Sequence, residues 1–202
     1  MAGDDTPWTV RESATEYETG WYDGGYDLVV QPDGSEKCYY WADLPPAVVV
    51  VATVDAGTGA VTVDGGTKAA SADAERSDTH VVFVEQYRPT VGETHLELPA
   101  GIVEEGESYT AAAARELEEE TGFRPSSTAL VQEYAVATGV LRHDRAVVYA
   151  EGLEPGEREL DSNEFLEVQM VPVAEALGRA RELPANDSTI SALLLAREDG
   201  LL

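Results

Sequence analysis

The pattern of apolar and polar positions predicts a chain built mainly from short strands. Apolar or β-branched runs alternate with turn-forming residues, which is typical of strands and hairpins. A Pro32-Asp33-Gly34 turn lies between the first two runs and predicts a hairpin. Glu151–Asn163 is acidic and contains Pro and Gly, so it is predicted to be a loop. The predicted strands are Tyr26–Gln31, Glu36–Trp41, Ala47–Val54, His80–Gln86, Thr94–Leu98, Ala129–Ala137, Arg145–Ala150 and Phe165–Val171.

Three segments have the composition or spacing of helices. Ser108–Thr121 is rich in Ala, Glu and Leu, and Gly122 follows it where a C-cap residue belongs. Val173–Arg181 is predicted to be a second helix. Ser188–Glu198 is predicted to be a third, with one of its first two residues as the N-cap. Because these helices do not alternate regularly with the strands, the predicted fold class is α+β.

Composition divides the chain into two regions. Residues 1–44 form a small N-terminal β region rich in aromatic residues, although residues 1–20 are polar and are expected to be extended or frayed. Residues 45–202 form the main domain. Within it, a low-complexity acidic insertion near 55–79 lacks large apolar residues, and only Ala60–Val63 is predicted as a strand there. The N-terminal hairpin is too small for its own core, so we expect it to pack on the main domain or on another subunit.

The net charge excludes several classes of partner. Lys and Arg total 13 against 39 Asp and Glu, which gives a formal charge of -26, while an apolar content of 43% still supplies a core. Such a surface repels nucleic acid and anionic membranes. The single cysteine, Cys38, excludes an intrachain disulfide. High salt screens the repulsion among so many carboxylates, so we expect a cytoplasmic protein of a salt-accumulating cell.

Three glutamates give the first predicted helix an acidic face. Glu116 and Glu120 are four residues apart and share one side of a helix, and Glu119 lies one turn from Glu116. Like charges this close destabilise a helix unless a cation neutralises them, and carboxylate oxygens suit Mg²⁺ or Mn²⁺. Arg115 faces Glu119 across one turn and can hold its carboxylate. Gly101 allows a close backbone approach, so a main-chain carbonyl can point at the metal ion.

The segment Gly101–Phe123 resembles the Nudix box, G-x5-E-x7-R-E-U-x-E-E-x-G-U, with U an aliphatic or aromatic residue. The flanking segments Val84–Thr90, His95–Gly101 and Asp161–Leu177 resemble the ADP-ribose pyrophosphatase branch of that family. The resemblance implies an α/β/α sandwich with a mixed sheet, and hydrolysis of the pyrophosphate bond in a nucleoside diphosphate derivative. All nine fixed positions of the box are filled, by Gly101, Glu107, Arg115, Glu116, Leu117, Glu119, Glu120, Gly122 and Phe123.

The resemblance implies a role for each residue of the box. Glu116 and Glu120 would bind Mg²⁺ together with the backbone carbonyl of Ala100. Glu119 would be a further ligand or a catalytic carboxylate. The ion would neutralise the pyrophosphate and lower the pKa of a bound water. Structural roles are implied for Gly101, Glu107, Arg115 and Gly122.

Residues outside the box are implied in catalysis and in substrate binding. Glu164 is expected to be the general base that orients the attacking water, with Asp161 as the alternative. Arg88 is expected to grip the diphosphate or the terminal ribose, and a surface salt bridge is its alternative role. Trp21 and Tyr22 are expected to stack on adenine, and burial within the N-terminal sheet is their alternative role.

The function implied is Mg²⁺-dependent hydrolysis of ADP-ribose to AMP and ribose 5-phosphate by a homodimer whose N-terminal sheets line the partner's site. The chain departs from this branch at Ala137–Gly139, where a Pro-Gly pair is expected, and at His143-Asp144, where a Glu is expected. Another ADP-sugar, a dinucleotide or a diadenosine polyphosphate is therefore an alternative substrate. A Nudix domain that binds ADP-ribose without hydrolysing it is the second alternative, although no carboxylate of the box is lost.

Overall fold

A computed structural model describes residues 8–55, 79–160 and 165–202. The predicted strand Ala60–Val63 and nearly all of the insertion lie outside the described residues. The elements are, in order, β1 (Thr9–Glu18), β2 (Asp23–Val30), β3 (Glu36–Asp43), β4 (Ala47–Asp55), β5 (Thr79–Arg88), β6 (Glu93–Glu97), β7 (Ala100–Ile102), α1 (Tyr109–Thr121), β8 (Phe123–Ala135), β9 (Leu141–Arg142), β10 (Asp144–Pro155), β11 (Leu166–Pro172), α2 (Val173–Ala180) and α3 (Asp187–Glu198).

The chain divides into two compact units, which are described separately. The first holds the described residues up to Pro46 together with Tyr134–Arg145. The second holds Ala47–Glu133 and Ala146–Leu202. Sequence analysis placed Tyr134–Arg145 in the main domain. The segment groups with the N-terminal residues because its strand β9 pairs in parallel with β3, a contact between positions far apart in the chain.

The first unit is a four-stranded sheet in the order β1-β2-β3-β9. Strands β2 and β3 form the predicted hairpin, whose turn is closed by Ser35 N donating to Oδ1 of Asp33 at 2.9 Å. Strand β1 lies where the sequence suggested an extended or frayed segment. Its side chains are almost all exposed, so hydrophobic burial gives no signal for it. The antiparallel backbone pairing with β2 along its length holds it in place instead.

The second unit is a seven-stranded sheet in the order β11-β5-β4-β10-β8, with β6 paired to β5 and β7 paired to β4. Helices α1 and α3 both contact β4, which is buried along nearly its whole length. Successive side chains of a strand point to opposite faces, so both faces of the sheet are covered there. The α+β class is thus confirmed. The core cluster includes Val48, Val50, Ala52, Val54, Val82, Ala112, Ala113, Leu117, Phe123, Val148 and Leu153.

Several element boundaries correct the sequence prediction. The strand predicted as Ala129–Ala137 is β8, which spans Phe123–Ala135. Strand β10 continues through Pro155, so Glu151–Pro155 is strand rather than loop. Helix α3 begins one residue earlier than predicted, and its N-cap is Asn186, whose side-chain oxygen accepts a hydrogen bond from Thr189 N at 2.8 Å. Asn is among the preferred N-cap residues. In the part of the chain that the structure describes, no helix is long and apolar enough to cross a membrane.

Candidate active site

The predicted acidic helix is present, and its ends are fixed by local sequence. Ser108 is the N-cap of α1 and its side chain accepts from Ala111 N at 3.3 Å. Gly122 is the C-cap with a left-handed φ of 74°, and its N–H donates to Glu118 O at 2.7 Å. The glutamates between these caps therefore project from one rigid helix.

Two of those glutamates reach strand β7. A Cβ atom added to Gly101 would lie 1.9 Å from Cδ of Glu116, so only glycine leaves room for this carboxylate. Ala100 N donates to Oε2 of Glu120 at 3.2 Å, and Glu120 is only 3% exposed. Glu116 and Glu120 thus lie against the Ala100-Gly101 backbone, where the sequence analysis expects the Ala100 carbonyl to be a metal ligand.

Arg115 donates hydrogen bonds to three glutamates of the box. Its Nε and Nη2 donate to the two carboxylate oxygens of Glu107 at 3.1 and 3.0 Å. Its Nη1 donates to Oε1 of Glu116 at 2.8 Å and to Oε2 of Glu119 at 3.0 Å. Nη2 also donates to Ile102 O at 2.9 Å, so each of the five guanidinium N–H groups has an acceptor. The predicted contact with Glu119 is confirmed.

This arrangement shifts the pKa of both partners in the Arg115–Glu107 pair. The hydrogen bonds from Arg115 hold the pKa of the Glu107 carboxyl below its usual range, against an opposing contribution from burial. In turn, the hydrogen bonds that Arg115 donates to the Glu107 carboxylate raise the pKa of Arg115. Both groups are therefore charged across the physiological range, and the guanidinium is a permanent cation beside the box carboxylates.

The carboxylates of the box are ligands of the chemical type that a hard divalent cation prefers. Within residues 8–55, 79–160 and 165–202, no three His, Cys, Asp or Glu side chains are close enough together to form a metal centre. Carboxylates without a cation repel one another, and here they take N–H donors from Arg115 and Ala100 instead. The carboxylates of Glu116 and Glu120 beside β7 offer oxygen donors of the kind that Mg²⁺ and Mn²⁺ prefer. The assignment of metal ligands stays a prediction for Ala100, Glu116, Glu119 and Glu120.

Of the candidates for the general base, Glu164 and its alternative Asp161 both lie outside the described residues. Glu119, the other catalytic candidate, has a side chain that is 39% exposed and is bound to Arg115. Its carboxylate is therefore held by the box and open to solvent.

Arg88 lies at the end of β5 and is held by a residue that sequence analysis did not single out. Its Nε donates to both carboxylate oxygens of Glu97, at 3.2 and 3.1 Å. Glu97 is buried, and Gln86 Nε2 also donates to it at 3.4 Å. The Arg88 side chain stays 44% exposed, so the ion pair orients it without enclosing it. A glutamate in the otherwise apolar run that leads into the box was the available signal for this partner.

Trp21 and Tyr22 belong to the first unit, at the turn between β1 and β2. The turn is held by Oγ1 of Thr19, which accepts from Trp21 N at 3.1 Å and from Tyr22 N at 2.9 Å. Trp21 is 59% exposed, so burial within the sheet does not account for it. A groove of about 490 Å³ in the first unit is lined by Gly20, Trp21, Tyr22, Asp23, Asp43, Leu44, Pro45 and Pro46.

Two acidic residues of this groove, Asp23 and Asp43, lie on neighbouring strands. Asp23 and Asp43 are direct partners across the β2–β3 ladder, and like charges directly opposite each other destabilise a sheet. Sequence analysis missed the pair, because strand register brings together residues twenty positions apart.

Comparison with known proteins supports the family that the box motif indicates. The family model described as the NUDIX domain matches residues 67–194, which is more than half of the chain. The chain is 37% identical over 99 residues to the ADP-ribose pyrophosphatase of Bacillus subtilis, covering 48% of this chain and 54% of that one. It is 33% identical over 114 residues to the methanol dehydrogenase activator of Bacillus methanolicus, covering 55% and 62%. The matches thus span about half to three fifths of these relatives' own lengths.

A solved structure extends the agreement to the fold. The crystal structure of an ADP compounds hydrolase superposes with a TM-score of 0.76 and 22% identity, covering 96% of this chain and 95% of that one. This likeness confirms the expected sandwich. With the matched domain and the complete box, the chain belongs to the Nudix family.

Proposed function

We propose that this protein hydrolyses the pyrophosphate bond of ADP-ribose, in a Mg²⁺-dependent reaction that yields AMP and ribose 5-phosphate. The observation that carries the proposal is the approach of Glu116 and Glu120 to strand β7, with Arg115 holding the neighbouring carboxylates. The relative named ADP-ribose pyrophosphatase supports the choice of substrate. No box carboxylate is replaced, which favours an enzyme over a domain that only binds ADP-ribose.

The box would hold the metal ion through Glu116, Glu120 and the Ala100 carbonyl, with Glu119 as a further carboxylate. The ion would supply charge neutralisation at the diphosphate and a more acidic bound water. Glu164 would accept a proton from the attacking water as the water oxygen bonds to one phosphorus. The bridging P–O bond then breaks, and the bridging oxygen leaves on the other phosphate.

Residues outside the box would recognise the substrate. Trp21 and Tyr22 would stack on the adenine ring, since aromatic faces suit a neutral base. The Asp23 and Asp43 carboxylates would accept hydrogen bonds from its exocyclic amino group, which favours adenine over a 6-oxo purine. The exposed guanidinium of Arg88, held by Glu97, would contact the diphosphate or the terminal ribose.

The oligomeric state and the setting belong to the same proposal. Exposed aromatic residues in the first unit would form the interface of a homodimer, as larger apolar patches often mark association sites. A net charge of -26 supports a high-salt cytoplasm. The exposed aromatics of this unit are Trp8, Tyr17, Trp21, Tyr39 and Tyr40.

A substrate panel tests the proposed activity. ADP-ribose, inosine diphosphate ribose, an ADP-hexose, NADH and diadenosine tetraphosphate would be incubated with the protein and Mg²⁺ in high salt, and products quantified by chromatography. We expect AMP and ribose 5-phosphate in equal amounts from ADP-ribose, and the highest kcat/KM for it. A higher kcat/KM for another compound would move the assignment to that substrate. Binding of ADP-ribose without any AMP would establish the non-catalytic alternative.

A further inference from the structure

The connecting segment between β8 and β10 (residues 136–143) is docked along the end of β3, within the first unit. Val140 O accepts a hydrogen bond from Ala42 N at 2.9 Å, and Arg142 O accepts one from Leu44 N at 3.0 Å. Between these two bonds, β9 pairs in parallel with β3. The backbone that leaves β3 is therefore held on this side by the connecting segment.

The side chain of Arg142 also attaches the connecting segment to the sheet. Its Nη2 donates to Oδ2 of Asp27 at 2.5 Å, and its guanidinium carbon lies 4.0 Å from the ring centre of Trp41. Trp41 Nε1 donates to Oδ1 of the same Asp27 at 3.1 Å. An ionised pair makes stronger hydrogen bonds than neutral groups do, and a cation over an aromatic face adds attraction. The connecting segment is thus fixed to β2 and β3 through a side chain as well as through its backbone.

His143 reaches from the connecting segment to the groove wall (residues 43–46), which is part of the groove of about 490 Å³. Its Nδ1 lies 2.8 Å from Pro45 O. A carbonyl oxygen only accepts, so Nδ1 carries the proton and donates in both the neutral and the protonated ring. Pro45 and Pro46 have no backbone N–H, so at these two positions the main chain can form hydrogen bonds through its carbonyl groups alone. His143 supplies the donor that such a wall needs.

We propose that His143 is a positioning residue for substrate recognition, which fixes the Pro45 carbonyl and with it the wall of the groove that Trp21 and Tyr22 also line. The inference rests on the proposed function, which places adenine in this groove. A wall that is held in place before binding loses less conformational freedom when the ring enters. Because the wall would contact the base equally in the ground state and in the transition state, its loss would raise KM and leave kcat.

Calorimetric titration with AMP in molar KCl tests the inference. His143→Leu should raise the Kd of AMP by about 3- to 10-fold, as for loss of a hydrogen bond that leaves a carbonyl unpaired. His143→Asn keeps an N–H donor near the place of Nδ1 and should recover most of the affinity. In hydrolysis of ADP-ribose, His143→Leu should raise KM by the same factor and change kcat by less than about twofold.

Ser35→Ala is the matched control within the same sheet. It removes the hydrogen bond of Ser35 Oγ to Oδ1 of Asp33 at 2.6 Å, in the turn between β2 and β3. This turn lies at the end of the hairpin away from the Asp23–Asp43 pair. The variant should therefore leave the Kd of AMP unchanged.

Two readouts without substrate separate this inference from the proposed function. Nitrogen-15 spectra of the neutral His143 ring in the wild-type protein should show the proton on Nδ1. Hydrogen exchange at the Leu44 amide should become faster in His143→Leu, while exchange in the middle of β2 is unchanged. A proton on Nε2, or unchanged exchange at Leu44, would overturn the positioning role.

A third variant shows which of the two proposals has failed. If Trp21→Ala weakens AMP binding and His143→Leu does not, the positioning role is wrong and the proposed function stands. If AMP does not bind the wild-type protein, or binds Trp21→Ala equally well, the groove is not the adenine site. The recognition part of the proposed function then fails, and this inference fails with it.

Discussion

The carboxylate of Glu116 occupies the space that a side chain at Gly101 would fill: a Cβ atom there would lie 1.9 Å from Cδ and 2.1 Å from Oε1 of Glu116. Gly101→Ala should therefore displace Glu116 or open the contact between α1 and β7. We expect a destabilisation of about 1–3 kcal/mol, as for overpacking, together with loss of turnover. Gly178→Ala is the matched control, since nothing lies within 4 Å of a Cβ there. Chemical denaturation and steady-state kinetics measure both effects, and equal stability of the two variants would contradict the crowding.

Glu120→Gln keeps the shape of a proposed metal ligand and removes its charge. We expect turnover to fall by 100-fold or more, roughly 3 kcal/mol, as for loss of a key electrostatic group. Glu198→Gln, an exposed residue near the end of α3, makes the same charge change and should leave turnover as it is. Mn²⁺ binding followed by electron paramagnetic resonance should weaken in Glu120→Gln only. Near-normal turnover at saturating Mg²⁺ would remove Glu120 from the ligand set.

Substitution of Glu164 and of Glu119, the two candidates for the general base, should affect turnover differently. Glu164→Gln should lower kcat and leave the Kd of ADP-ribose almost unchanged, because a base acts in the transition state. Glu119→Gln should have the smaller effect on kcat. Parallel measurements of kcat and of substrate affinity decide between them. Activity that survives Glu164→Gln but collapses in Glu119→Gln would place the base on α1.

The ion pair of Glu107 with Arg115 predicts a pH dependence of stability. The pKa of Glu107 is held below its unfolded value, mainly by hydrogen bonds from Arg115. Its contribution to stability is therefore complete above the usual glutamate pKa, about 4.3, and is lost as the pH falls through the lowered value. The difference in unfolding free energy between wild type and Glu107→Gln should shrink from about pH 6 towards about pH 3. A difference that grows towards acid would contradict the sign, and Glu105→Gln, at an exposed site, is the control.

Salt should strengthen the proposed dimer, whereas it weakens an ordinary surface ion pair. A charge of -26 on each chain opposes association, and salt screens that repulsion. Sedimentation should find a dimer in molar KCl and a weaker one at low salt, with an interface above roughly 1,000 Å². A monomer at micromolar concentration in molar KCl would refute the dimer.

The acidic helix and its chemistry could be predicted because their signals are local. Caps, helical spacing and the i,i+4 relation between Arg115 and Glu119 depend only on residues within one or two turns, and the structure contains each of them. The central strand β4 could also be predicted from local sequence. A β-branched run bounded by turn residues indicates a buried strand, whatever elements pack beside it. The family followed from the spacing of the box alone.

Other features depended on pairings that no local pattern encodes. Asp23 and Asp43 become direct partners through strand register, and β1 forms because β2 supplies its backbone hydrogen-bond partners. Arg158 lies in an acidic segment and was not singled out in the sequence. Its two hydrogen bonds to backbone carbonyls form only when the end of α1 and the start of β11 come together. The sequence thus determined the helix, the box and the chemical type of the site, because those rest on short-range sterics and hydrogen bonding. Only the tertiary structure decided which distant residues hold that site, because such contacts form when the core brings separate elements within hydrogen-bond distance.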